Sequence, residues 1–135
     1  MATLVIPESK RSTGTVRVWL RAEGFAVLAL SLVLYWRSGF SWWLFVSLLL
    51  VPDLSMLLYL ANPRAGSICY NVVHSYLLPL SIVAVAICAD RSALLPIVWI
   101  WTAHIGMDRV LGYGLKYSTS FQDTHLGTIG KLPKK

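Results

Sequence analysis

The chain has 135 residues, 56% of them hydrophobic and 13% charged, with a mean hydropathy of +0.64 and a net charge of +6. A water-soluble domain carries about 25% charged residues, so too little polar material is present to cover a soluble globule, and the outer surface must face lipid. The positive balance then suits a membrane surface and not nucleic acid.

Residues 1–17 read as a flexible basic arm, in which Pro7, Gly14 and Lys10-Arg11 oppose compact structure. The following apolar stretch is long enough to span the bilayer, which argues against a cleavable signal peptide. Residues 18–111 read as four transmembrane helices. The first runs from about Val18 to Trp36, with Arg17 and Arg21 at one end and Arg37 at the other. Ser38-Gly39 is so short a turn that the second, about Phe40 to Ala61, must return antiparallel. The third runs from about Gly66 to Ala89, with Pro79 expected to kink it. After a turn at Asp90-Arg91-Ser92 the fourth runs from about Ala93 to Leu111. Residues 112–135 form a tail. Cys69 and Cys88 lie too far apart on one helix to pair, and no C-x-x-C motif is present.

Lysine and arginine sit mostly on the amino-terminal side of this arrangement; only Arg37 and Arg91 fall on the other. The positive-inside rule therefore puts both termini in the cytoplasm.

Topology also gathers the ionisable residues. Glu23 is early in the first span, Asp53 late in the second, His74 early in the third, and His104 and Asp108 late in the fourth. Because consecutive spans reverse direction, these positions meet in one leaflet, at depths of about 6 to 12 Å from the helix rise. An unpaired charge near the middle of a span costs roughly 2.5 to 3.5 kcal/mol, so these groups must pair, bind a cation or face water.

His104 and Asp108, four apart, share one helix face with Trp101 a turn away; Asn71 and His74 are three apart, and Tyr70 precedes His74 by four. Imidazole and carboxylate suit zinc, manganese or iron, and helical bundles build such sites from facing helices. His74, His104, Asp108 and Asp53 are the candidate ligands of a divalent metal ion, with Glu23 as general base. In the tail, Asp123 and His125 are placed to fold back as a lid or as further ligands. Tyr70, Asn71, Trp101 and Arg109 are candidates for contact with substrate or a lipid head group. The opposing account is a salt-bridged network with Arg21, Arg64 or Arg109 that only fixes helix register.

The motifs Leu20-Arg21-x-Glu23-Gly24, Pro52-Asp53-Leu54-Ser55-Met56, Tyr70-Asn71-x-x-His74 and His104-Ile105-Gly106-Met107-Asp108-Arg109 resemble a family of small bacterial membrane proteins, DUF4260. Gly112-Tyr113-Gly114-Leu115-Lys116-Tyr117 and Phe121-x-Asp123-Thr124-His125-Leu126 belong to the same likeness, which covers about residues 19–127. The resemblance implies a compact integral protein of the bacterial inner membrane and supplies no reaction, substrate or cofactor.

The expected fold is all-α, an antiparallel four-helix membrane bundle with the tail at the cytoplasmic face. The expected function is a membrane-embedded enzyme acting on a lipid-like or other apolar substrate. Its chemistry would be metal-assisted hydrolysis or metal-free acid-base isomerisation or cyclisation. A proton or metal-ion transporter and a non-catalytic assembly protein are the alternatives. The expected partners are the lipid bilayer, the apolar substrate and a second copy of the chain, with no nucleic acid.

Overall fold

The computed structural model describes residues 14–129. The arm expected over residues 1–17 lies outside the described residues up to residue 13, and its last four residues already belong to helix α1, Gly14–Arg37. The helix therefore starts a turn before the expected span: Gly14 lowers helix propensity, but the apolar run behind it carries the structure through.

Next come α2 (Trp42–Leu49) and a 3₁₀ segment (Val51–Leu60), followed by α3 (Pro63–Val73), α4 (Leu77–Cys88) and α5 (Leu95–Leu111). Two helical stretches are long and apolar enough to cross a membrane, Gly14–Arg37 and Trp42–Leu60, and α3 with α4 makes a third if that bent pair is one span. The chain is thus predominantly helical and of membrane character.

The surface is inverted relative to a soluble protein. Trp19, Phe25, Leu30, Trp36, Trp43 and Leu60 point outward, whereas Ser31, His74, His104, Asp108, Arg109 and Lys116 are buried. Lipid accepts the apolar exterior, and polar groups survive inside only where other protein groups answer them.

Helix α5 is the centre of the packing, and α1 lies along it in antiparallel register. Arg21 Nε donates to Val110 O at 2.8 Å, and Ser31 Oγ meets Thr102 Oγ1 at 2.8 Å. Between these contacts Gly24 abuts Gly106 and Arg109. Further along, Tyr35, Phe45, Ile100 and Ala103 form the apolar core, with the Tyr35 hydroxyl donating to Ser41 O at 2.7 Å.

Two expected spans are broken in their middles. In the second, α2 stops at Leu49, and Pro52 supplies no N–H, so an α-helical ladder cannot continue through it. The chain tightens to 3₁₀ geometry, with Asp53 N–H donating to Leu50 O at 3.1 Å. In the third, α3 and α4 meet at a 42° bend. The bend falls at residues 74–76, not at the expected Pro79. Pro79 lies in the first turn of α4, where its missing N–H disturbs no helical bond.

Asn62 caps α3 by accepting from Ala65 N–H at 2.7 Å, and α5 ends at Gly112, whose φ is 92°. The tail is more ordered than its sequence suggests. Strands β1 (Asp123–Thr124) and β2 (Gly127–Thr128) pair antiparallel, and Lys116 bridges to Thr124.

Candidate metal centre

Each break brings one ionisable residue to a common cluster, His74 buried and Asp53 partly exposed. Asp53 opens the 3₁₀ segment and His74 closes α3, while His104 and Asp108 come from successive turns of α5. One ligand atom from each of these four residues lies within 4.8 Å of all the others.

The separations are closely matched. His74 Nε2 is 3.1 Å from His104 Nε2, 3.4 Å from Asp53 Oδ1 and 3.6 Å from Asp108 Oδ2. His104 Nε2 is 3.4 Å from Asp53 Oδ1 and 3.5 Å from Asp108 Oδ2. A tetrahedral ion with bonds of about 2.0 to 2.1 Å has ligand-to-ligand edges of about 3.3 Å. Five edges of such a figure are therefore drawn by the protein itself.

Backbone contacts fix the donor directions. His74 Nδ1 lies 3.0 Å from Tyr70 O, a group that only accepts, so Nδ1 carries the hydrogen and Nε2 presents a lone pair to the cluster. Tyr70 stacks on His74 with ring centroids 3.8 Å apart, and its hydroxyl donates to Asp108 Oδ2 at 3.4 Å. These are the orienting contacts that metal ligands ordinarily have. His104 Nδ1 is buried and has no hydrogen-bond partner among the described residues. Four lone-pair-bearing atoms crowded together need protons or a cation between them, and a divalent ion satisfies all four at once.

The broken third span is secured from α5. Trp101 Nε1 donates to Val73 O at 2.8 Å, and Arg109 Nη2 donates to His74 O at 2.9 Å. Both carbonyls are released by the break, and each receives a fixed donor. Arg109 Nη1 also donates to Tyr113 O at 2.7 Å, joining the start of the tail to the same point. Trp101 and Arg109 thus hold the backbone that carries His74.

Asn71 has a comparable role. Its Nδ2 donates to Lys116 O and its Oδ1 accepts from Lys116 N–H, both at 2.7 Å, in the two-point manner of a neighbouring strand. Replacing Asn71 with Ala removes two partly buried hydrogen bonds, about 1 to 3 kcal/mol together, and should release the tail. Limited proteolysis is expected to cut between residues 116 and 123 far faster in that variant than in wild type. An unchanged cleavage rate would show that the clamp holds nothing.

The remaining expected site residues stand outside the four-residue group. Glu23 is exposed on α1 and shares a separate cavity with Arg109 and Tyr76. Asp123 accepts from Thr119 Oγ1 at 2.8 Å. His125 Nδ1 accepts from Leu115 N–H at 2.8 Å, and burial, then the charge of Arg109, push its pKa down. A histidine held neutral this way is suited to accepting a backbone proton, so His125 works as a brace of the tail.

From sequence, Lys116 is one of the basic residues that orient the chain and part of the Gly112–Tyr117 motif, and not a candidate site residue. It is 5% exposed, and burial lowers its pKa to about 8. Its Nζ donates to Phe121 O at 2.9 Å and lies 3.3 Å from the Phe121 ring centroid and 4.7 Å from that of Tyr70. With Asp53, Tyr70, Asp108, Tyr113 and Phe121 it lines a cavity of about 320 Å³ between the cluster and the tail. On the other side of the 3₁₀ segment an apolar groove of about 420 Å³ runs past Leu48, Pro52, Leu54, Val73, Ile97 and Trp101.

Helices with an apolar exterior, broken around a buried histidine-aspartate group, define a helical protein of membrane character with a candidate metal centre. The chain belongs to the family described as Domain of unknown function (DUF4260), whose model matches residues 17–129. No curated protein and no solved structure matches it.

Proposed function

We propose that this is a membrane-embedded, metal-dependent enzyme of the bacterial inner membrane that acts on a lipid-like substrate. The observation that carries this reading is the matched set of separations, 3.1 to 3.6 Å, among Asp53, His74, His104 and Asp108. Asp53 is the ligand most open to exchange, since its side chain is 33% exposed while those of both histidines are at 0%. A bound divalent ion would supply Lewis acidity and water activation, the usual route to hydrolysis at neutral pH. Around it Tyr70 orients His74 and Asp108, and the tail limits access of bulk water to the cavity.

The accompanying topology is an antiparallel arrangement of four spans, with α5 the last, both termini cytoplasmic and the cluster in the inner leaflet. It rests on the lysine and arginine distribution. Substrate would then enter from the cytoplasmic leaflet, beside the apolar groove.

A second reading, ion transport, draws on the two broken spans, because discontinuous helices often line ion sites in transporters. The cavity at the cluster is bounded by the tail, however, and α4 carries Ile82-Val83-Ala84-Val85-Ala86-Ile87 in its outer half. That run supplies no polar side chain for a path onward, which favours a reaction pocket.

Elemental analysis of the detergent-purified full chain tests the enzyme reading at its root. Wild type is expected to hold about one equivalent of a divalent transition metal, and His104→Ala to lose it. Metal-free wild type, or a His104→Ala protein that retains the ion, would overturn the assignment. Ion flux through liposomes dependent on His104 and Asp108 would favour transport instead.

A further inference from the structure

We infer that the cavity beside the cluster is an anion site for a phosphate group, with Lys116 as its cationic ligand. This rests on the metal reading above and names the substrate class that such a centre would take.

Charge bookkeeping is the first argument. Asp53 and Asp108 are the carboxylates lining the cavity, and Lys116 is its cation. A divalent ion on the cluster cancels both carboxylates and leaves the positive charge of Lys116 unanswered inside a low-dielectric interior. Arg109 adds to the surplus, since its guanidinium is satisfied by two carbonyls, and Glu23 in the neighbouring cavity offsets it only from the opposite side. A loaded centre of this composition calls for an anion.

The second argument is how Lys116 is held. The recorded ion pairs among the described residues are all between histidine and aspartate, and none includes Lys116. An ammonium has three donors, and among the described residues this one makes a single hydrogen bond, to Phe121 O. Aromatic faces at Phe121 and Tyr70 stabilise the cation without neutralising it. Asn71 grips the same residue's backbone at two points. A buried lysine carried on a clamped segment, beside a metal centre, suits recognition of a phosphate as a point charge.

The apolar groove extends the inference to the source of that phosphate. It flanks the same 3₁₀ turn that carries Asp53, and Ser55 Oγ lies buried in its wall without a hydrogen-bond partner among the described residues. An amphiphile with its phosphate at Lys116 and its hydrocarbon in the groove uses both cavities, whereas free inorganic phosphate uses one.

The test is a titration of the zinc-loaded full chain in detergent with inorganic phosphate and with dihexanoyl phosphatidic acid, metal content being measured beforehand. Both ligands are expected to bind, and Lys116→Met to weaken both by at least tenfold, with Lys116→Arg recovering most of the loss. Ile97→Trp, which fills the groove, should weaken only the lipid phosphate; equal affinity of the two ligands, unmoved by Ile97→Trp, would support the phosphate site and assign it to free phosphate. An ion-loaded protein without phosphate affinity, or undiminished binding by folded Lys116→Met, overturns the inference while leaving the metal centre intact. A chain that takes up no ion overturns both, and does so before phosphate is added. Should Lys116→Met fail to fold, phosphorus-31 relaxation on manganese-loaded wild type decides alone: strong enhancement at bound phosphate supports the site, and none overturns it.

Discussion

Asp53→Asn is expected to change sign with metal. In the presence of a chelator the variant should unfold at or above the wild-type temperature; with saturating divalent ion it should unfold well below it. Oxygens of Asp53 and Asp108 lie within 4.8 Å of one another. Two like charges at that distance repel by about 3 kcal/mol at an effective dielectric constant near 20. Screening at the partly exposed Asp53 reduces this to on the order of 1 kcal/mol. Asparagine keeps the shape and one acceptor oxygen while deleting that repulsion.

Metal reverses the balance. An ion present at about a thousand times its dissociation constant stabilises the folded state by about 4 kcal/mol. Loss of a charged ligand removes most of that gain. A polar network that merely fixes helix register behaves differently: His74 and His104 would each lose one of their two carboxylate neighbours, keeping Asp108, and stability would fall by the same amount with or without ion. Thermal unfolding of the two proteins in both conditions therefore separates a metal centre from a structural ion-pair network. Equal destabilisation in both would sink the metal reading.

The convergence of Asp53, His74, His104 and Asp108 was legible in the sequence because span reversal is a strong constraint: once the turns are located, leaflet positions follow. The breaks were only half legible. Pro52 stands in the sequence at the interruption beside Asp53, whereas Pro79 pointed to the wrong turn of the third span. The bend at His74 is stabilised by donors from Trp101 and Arg109, which are distant in sequence, so nothing local announces it. Lys116 was illegible as a site residue for a related reason. A lone lysine among aromatics in a tail looks like an interfacial anchor, and only the Asn71 clamp turns it inward. Glu23 shows the reverse error, since depth in the span says nothing about which way a side chain faces.

Gly106→Ala should be strongly damaging for a single-methyl change. A Cβ at that position would sit 2.8 Å from Gly24 O and from Leu28 N, and 3.1 Å from Leu28 Cα. All three are backbone atoms, so no rotamer change makes room, and α1 itself must move. In water, alanine gains about 1 kcal/mol over glycine in helix propensity, but overpacking of a close contact costs about 1 to 3 kcal/mol or more. Small residues at helix crossings in membranes serve this close approach, and here the crossing also sets the site. Arg109, whose side chain holds the His74 carbonyl, packs directly on Gly24, and His104 and Asp108 flank Gly106 on the same helix. A displaced α5 therefore shifts two ligands and one brace together. Gly106→Ala is expected to lower the unfolding temperature and to weaken metal binding by at least about tenfold, in the range seen when supporting contacts of metal ligands are lost. Gly14→Ala, where an added Cβ meets nothing within 4 Å, should change neither. Parallel measurements on the two variants would expose a misplaced crossing, because Gly106→Ala would then match its control.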